Sequence, residues 1–401
     1  MRSRSWSSGS VRACAAISLL AKVLGAQAPS AQVPAPEKPP LLVLLDAADA
    51  EQWRAWAAPY GWRVLAPPAA ADKSVDARIL ALAAAVNTAL ADADRDRVYL
   101  AGRGDAASAV FYVASRLPDL WTAAVALGGS PQSAIDTTRL FAVNFTLLPV
   151  LWLSEGTGDQ ALAEKLKSAG VNLEWRKAAG ATPASVLDWL ASKRREDIPA
   201  EVDCETSSPQ FASCYWLRMT RFDSGARNDV LPSTRVQPGS GAMLDLGGFG
   251  FNRDAAGPGV LVSWLPEKYS GPLKLNDRIV AVGGKPIRDA REYMETMEKT
   301  VEEKEVVVMV ERSGNRIRLE TRIVLPKREE TVTARVQGKY LPEEKEIQIV
   351  SRAVTELRVT VPEAWAGAML DWNGTPVGKA ERPGCWLLVE EKQLQSVRPC
   401  P

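Results

Sequence analysis

Few residues in this chain can do chemistry, and one type is missing altogether: its 401 residues include no histidine. Histidine is the usual general base near neutral pH and the commonest metal ligand. Without it the chain cannot assemble a Ser-His-Asp or Cys-His relay, nor a zinc site that uses imidazole. Ser130 and Ser154 fall near predicted strand ends, and Lys165 and Lys167 lie on a helix nearby. A Ser-Lys pair is therefore a conceivable nucleophilic arrangement, although nothing in the spacing requires it. Asp46, Arg103, Asp105 and Asp159 form either a salt-bridged cluster or separate solvated charges. No metal or organic cofactor is implied.

A different chemistry is available at Gly248-Phe249-Gly250-Phe251. Glycines let successive backbone N–H groups converge on one point, which can hold a carboxylate without any charged side chain.

The elements that must position these residues follow from apolar spacing. Leu41–Leu45, Arg63–Ala66, Val98–Ala101, Ala123–Leu127, Val150–Leu153 and Leu173–Arg176 read as strands. Between them 75–93, 105–116, 159–169 and 183–195 carry apolar residues at helical spacing. Such alternation predicts a parallel sheet with helices on both faces. After Pro199 the helical signal disappears, and Cys214–Met219 reads as one strand. Pro232-Ser233 and Pro238-Gly239-Ser240-Gly241 form a linker. A compact unit of strands with one helix, 288–300, fills 242–326. The tail is β-rich, with strands at Thr331–Val336, Glu346–Val350 and Glu356–Val361 and a hairpin turn at Trp372-Asn373-Gly374-Thr375.

The N-terminus reads as an export signal. Arg2, Arg4 and Arg12 precede a mainly apolar stretch from Ala13 to Leu24, and small residues follow at Ala26-Gln27-Ala28. The alternative is a disordered tail. With Cys14 inside the signal, Cys204, Cys214, Cys385 and Cys400 remain for an oxidising compartment. Four cysteines allow three pairings. Proximity favours Cys204–Cys214 and Cys385–Cys400, with cross-pairing and free thiols left open. A formal net charge of +1 with no long run of one sign gives no reason to expect nucleic acid or an anionic membrane as partner.

Two resemblances sharpen this reading. Asp96-Arg97-Val98-Tyr99-Leu100-Ala101-Gly102-Arg103-Gly104-Asp105-Ala106-Ala107 resembles the strand, turn and helix that present the nucleophile in α/β-hydrolases. The likeness is greatest to secreted esterases of the polyhydroxybutyrate-depolymerase and feruloyl-esterase type. Leu117–Ala124 and Ala126–Gly129 are similar to the segments that follow, and the resemblance covers about 40–197. The family turn is G-x-S-x-G, which puts Gly104 at the nucleophile position. Asp46-Ala47 replaces the His-Gly of the oxyanion loop, a carboxylate of the wrong sign for that task. Asp159 matches the acid, and the family histidine falls near Ala179–Thr182, where none is present. The resemblance thus implies a hydrolase scaffold without its catalytic residues.

Gly248-Phe249-Gly250-Phe251 and Leu273-Lys274-Leu275-Asn276-Asp277-Arg278-Ile279-Val280-Ala281-Val282-Gly283-Gly284 resemble the two signature segments of PDZ domains. Asn276 and Gly283 stand where the family usually has Gly and Asn, both tolerant of left-handed turns. This resemblance implies capture of a peptide carboxylate by the loop and addition of the peptide along the strand from Phe251. Ala290, Met294 and Met297 would line the groove from the helix, with Tyr293 turned to the core. Ala290 in place of the family histidine implies an apolar preference two residues before the carboxylate. The alternative reading of the methionines is plain core.

The expected fold class is multidomain α/β and β. A signal peptide (1–28) and flexible leader (29–39) precede an α/β-hydrolase-like domain (40–200) built on a parallel sheet. A discontinuous β-rich domain (201–240 and 328–401) is interrupted by an inserted PDZ domain (241–327). Two independent β units are the alternative. The function expected is a periplasmic or secreted binding or scaffold protein, not an enzyme, whose PDZ groove takes peptide C-termini or extended segments. The alternatives are a divergent secreted serine-hydrolase-like enzyme and a structural subunit whose groove is filled internally.

Overall fold

Strands and helices alternate from Leu41 to Ala191 in a computed structural model. It describes residues 38–67, 74–156, 158–228, 230–237, 241–252, 255–325, 331–392 and 394–401. The expected signal peptide, Cys14, most of the leader and the linker residues 238–240 lie outside the described residues.

The chain order is β1 (Leu41–Leu44), α1 (Ala50–Ala57), β2 (Arg63–Leu65), α2 (Val75–Ala89), β3 (Val98–Arg103), α3 (Asp105–Arg116), β4 (Ala123–Leu127), α4 (Gln132–Asp136), β5 (Val150–Ser154), α5 (Asp159–Ser168), β6 (Leu173–Lys177) and α6 (Pro183–Ala191). The strands form one parallel sheet in the order β2-β1-β3-β4-β5-β6. Strand residues alternate between two cores: Val98 and Leu100 meet the face covered by α2, α3 and α5, while Tyr99 and Ala101 meet α1 and α6. Burial on both faces explains why β1, β4 and β5 are almost wholly apolar. The helix expected over 75–93 ends at Ala89 and tightens into a single 3₁₀ turn, Leu90–Asp92.

Next come β7 (Glu201–Thr206), β8 (Ser213–Cys214) and β9 (Leu217–Phe222). The single strand expected across Cys214–Met219 is instead a tight hairpin. Tyr215 takes a left-handed φ of +54°, and Cys214 pairs with Leu217. The turn lets Trp216 enter the core, where its indole N–H donates to the Pro199 carbonyl at 2.8 Å.

The following unit contains β10 (Met243–Leu244), β11 (Gly250–Asn252), β12 (Val260–Trp264), β13 (Arg278–Val282), β14 (Lys285–Pro286), α7 (Ala290–Glu298), β15 (Lys304–Arg312) and β16 (Asn315–Val324). Its sheet runs β10-β16-β15-β13-β12-β11, with β14 paired to β13. One core unites Leu244, Val260, Val262, Ile279, Val308, Val310 and the inner face of α7.

The tail supplies β17 (Ala334–Leu341), β18 (Glu346–Arg352), β19 (Val354–Val361), β20 (Ala368–Trp372), β21 (Thr375–Ala380), β22 (Gly384–Glu391) and β23 (Leu394–Pro399). Two five-stranded sheets result, β21-β20-β18-β17-β7 and β23-β22-β19-β9-β8, and they share one core. Each sheet thus contains strands from both sides of the 242–325 unit. Disulfides join Cys204 to Cys214 and Cys385 to Cys400. The first ties one sheet to the other, and the second closes the β22–β23 edge. The turn at Asn373-Gly374 has φ of +53° and +80°, as a two-residue hairpin loop requires. Among the described residues no helix is long and apolar enough to cross a membrane.

One polar junction joins these parts. Glu205 is 1% exposed, and its carboxylate accepts from Ser233 Oγ, Thr333 Oγ1, the Thr234 N–H (2.7 Å) and Thr234 Oγ1 (2.8 Å). Its backbone is held by Asn144 of the first domain, through Glu205 N–H to Oδ1 and Nδ2 to the Glu205 carbonyl, each at 2.8 Å. Ser233 and Thr234 precede the 242–325 unit and Thr333 follows it, so both connections are fixed at one carboxylate. Glu205→Ala leaves several buried donors unpaired and is expected to destabilise the chain by about 2 kcal/mol or more. Chemical denaturation of the oxidised protein measures this loss.

Candidate functional site

The strand-to-helix turn after β3 is held by backbone conformation rather than side-chain chemistry. Gly104 has φ +57° and ψ −125°, and its N–H donates to the Leu127 carbonyl at 2.9 Å. A residue with a Cβ is strained there, yet a Cβ built on Gly104 would meet no atom within 4 Å. The position is open and carries no reactive group.

The charges expected around this turn do not form the salt-bridged cluster. Among the described residues no ion pair joins Arg103 to Asp46, Asp105 or Asp159. Arg103 turns toward α1, donating to Gln52 Oε1 at 3.0 Å and lying 3.9 Å from Asp49. Asp46 accepts the Ala48 N–H at 2.9 Å, and Asp159 accepts the Gly156 N–H at 2.9 Å. Short carboxylates reach their own backbone more cheaply than a distant cation, and each here acts as a turn residue. Asp105 starts α3, where a negative charge suits the helix dipole.

The Ser-Lys arrangement is also absent. The Ser154 hydroxyl is buried and receives the Trp175 indole N–H at 2.9 Å. Ser130 Oγ accepts the Gln132 N–H at 3.3 Å. Lys165 pairs with Glu298 of α7, and Lys167 with Glu164 at 3.7 Å. The carboxylate that reaches the Ala179–Thr182 loop is Glu155, which accepts the Ala179 N–H. Asp159 does not reach it. Sequence reading passed over Glu155, although its place directly after β5 was a usable signal.

In the 242–325 unit the glycine loop leads into an edge. Gly247 and Gly248 have φ of +81° and +76°. The N–H groups of Gly247, Gly248 and Phe249 make no hydrogen bond among the described residues. Gly250 and Phe251 open β11, which pairs only with β12. Phe249 and Phe251 are half-buried against the core, their ring centroids 6.4 Å apart.

Spacing of three and four residues puts Ala290, Tyr293 and Met297 on the inner face of α7, each 5% exposed, while Met294 is 39% exposed. Ala290, Met294 and Met297 therefore do not make one lining: two are core and the third faces solvent. The element that bridges α7 and β11 is Tyr293, whose ring meets Phe251 edge-on at 5.5 Å between centroids.

The 274–277 turn is held by Asp277, itself 1% exposed. Arg312 donates to its two oxygens at 2.8 and 2.7 Å, and the Lys274 N–H donates at 2.7 Å. Asn276 takes the left-handed φ of +69° that this turn needs. Burial alone would raise the Asp277 carboxyl pKa, but the Arg312 and Lys274 hydrogen bonds hold it below its ordinary value.

No family model matches the chain, and no curated protein matches it. Among solved structures it is similar to a thermostable esterase, with 16% identity and a TM-score of 0.31 over 41% of this chain and 57% of that one. It is similar also to the Staphylococcus aureus fluorophosphonate-binding serine hydrolase F, with 13% identity and a TM-score of 0.31 over 40% and 87%. Esterase PE8 follows at 17% and 0.28 over 39% and 91%. The chain spans little more than half the length of the thermostable esterase. These neighbours are esterases and serine hydrolases, similar at low TM-score over about two fifths of the chain.

Two outcomes follow from this geometry. Gly104→Ser is expected to fit sterically and to cost about 1–3 kcal/mol through its backbone conformation alone; denaturant titration against wild type measures it. A depressed folded-state pKa means that Asp277 stabilises fully above its unfolded value and loses this as pH falls through the folded value. The unfolding temperature should therefore drop below pH ~4, and Asp277→Asn should flatten that drop.

Proposed function

We propose that this chain is an exported binding protein whose 242–325 unit, of PDZ type, takes peptides ending in a free carboxylate. One observation carries the reading: three N–H groups without partners, at Gly247, Gly248 and Phe249, lead directly into the edge strand β11. N–H groups of a glycine loop suit a carboxylate, and a strand at the end of its sheet suits an added strand. On this reading the α/β domain is a hydrolase-type scaffold that performs no serine-type turnover. The support is the absence of histidine, together with Gly104 at the turn where a nucleophile would stand. Two disulfides fit an oxidising compartment, periplasmic or extracellular, reached through the N-terminal signal.

A second reading, a divergent secreted hydrolase with another mechanism, is favoured by the turn itself. Gly104 keeps a sharp strand-to-helix conformation with open space above it.

The test uses the full oxidised chain with a C-terminal peptide library. Micromolar or tighter binding is expected, lost when the peptide carboxylate is amidated; binding that ignores amidation, or no binding, would sink the carboxylate-capture reading. The same preparation is expected to hydrolyse an activated ester no faster than buffer. Turnover that survives repurification would instead favour the divergent hydrolase.

A further inference from the structure

The 242–325 unit holds a cavity of about 420 Å³ between the outer side of α7, the β13–β14 turn and the start of β15. Its described lining includes no residue of β11, β12 or the 247–249 loop. The deepest part is apolar. Val282 and Ile323 are 3% and 1% exposed, and Val306 packs half-buried against the same core. Val301, in the loop between α7 and β15, borders the cavity while 75% exposed. Apolar surface in a concave site gains by covering the apolar atoms of a ligand.

The polar groups around this surface are not equally committed. Glu292 holds Arg288 and Glu295 holds Arg291, each at 3.1 Å, and Lys299 lies 3.9 Å from Glu295. Thr296 and Thr300 donate their hydroxyls to the Glu292 and Thr296 carbonyls at 2.7 and 2.9 Å. Lys285, Lys304 and Glu302 also line the cavity, and none of them has an ion pair or side-chain hydrogen bond among the described residues. Solvated surface lysines are ordinary, and charge alone would mark nothing. Here two uncommitted ammonium groups and one uncommitted carboxylate border an apolar recess, with a surplus of one positive charge. A single anionic group on an apolar body neutralises that surplus, whereas a dianion would also meet Glu302.

We propose that this cavity binds amphipathic monocarboxylates. The apolar chain lies on Val282, Val306 and Ile323, and the carboxylate reaches Lys285 and Lys304. The proposal stands apart from peptide capture, since the two sites share no described lining residue.

The test titrates octanoate and hexanoate, below micellar concentrations, into the full oxidised chain by calorimetry. Octanoate should bind about ten-fold more tightly than hexanoate, because two more methylenes leave water. Octanamide, which keeps the chain and loses the charge, should bind about five-fold more weakly than octanoate. The Lys285→Gln, Lys304→Gln double variant should weaken octanoate by about the same factor, and Glu302→Gln should strengthen it about two-fold. All three positions are exposed, so the fold is expected to tolerate these changes. A C-terminal peptide is expected not to displace octanoate. No binding, equal binding of octanamide, or affinity indifferent to the three substitutions overturns the proposal. Displacement by the peptide would put the acid in the glycine loop, overturning the proposal while leaving peptide capture intact.

Discussion

The arrangement depends on the buried carboxylate of Glu205. A carboxyl group leaves water at high cost unless hydrogen bonds replace its hydration, and here four do so. The donors come from residues 28, 29 and 128 positions away. Satisfying this one side chain therefore brings together the segment that enters the 242–325 unit and the segment that leaves it. Asn144 fixes the same residue by its backbone, so the parallel sheet, the paired β sheets and both connections meet at one point. A long excursion that departs and returns at a common anchor adds little loop-closure cost with its length. The strands on either side, β7 and β17, are then free to pair in register, Val202 with Gly338 and Cys204 with Val336.

The turn at Gly104 illustrates the opposite economy. Its backbone conformation survives without a reactive side chain, because the conformation is enforced by the sheet ladder and by the start of α3. The surrounding charges then find the nearest donors. Asp46 and Asp159 cap their own loops, Glu155 bridges the loops after β5 and β6, and Arg103 lies along α1. Two of these contacts are local and two reach 24 and 51 positions along the chain, and none joins Arg103 to Asp46, Asp105 or Asp159.

That contrast also separates what was legible in the sequence from what was not. The parallel strands were readable because burial on both faces demands uninterrupted apolar runs, and Leu41–Leu44 and Val150–Ser154 meet that demand. The hairpin turn at Asn373-Gly374 was readable because positive φ at two successive residues favours this pair. The break at Tyr215 was hidden, since a tyrosine at φ +54° carries no turn signature and the apolar run continues past it. Glu205 was illegible because all its side-chain partners lie far along the chain. The charge cluster failed partly for the converse reason: Asp46 and Asp159 were satisfied by backbone two or three positions away, while Arg103 found Gln52 on α1, 51 positions earlier. Spacing also put Tyr293 on the inner face of α7, where it is 5% exposed.

A strand at the end of its sheet is ambiguous by itself, because native proteins keep edges short to prevent unwanted pairing. β11 has three residues, which would suit protection as well as recognition. The balance is set by what adjoins it. A protected edge has no use for three N–H groups at its entry that make no hydrogen bond among the described residues. A carboxylate would supply acceptors to those groups, and an extended peptide terminus would carry one at the end of an added strand.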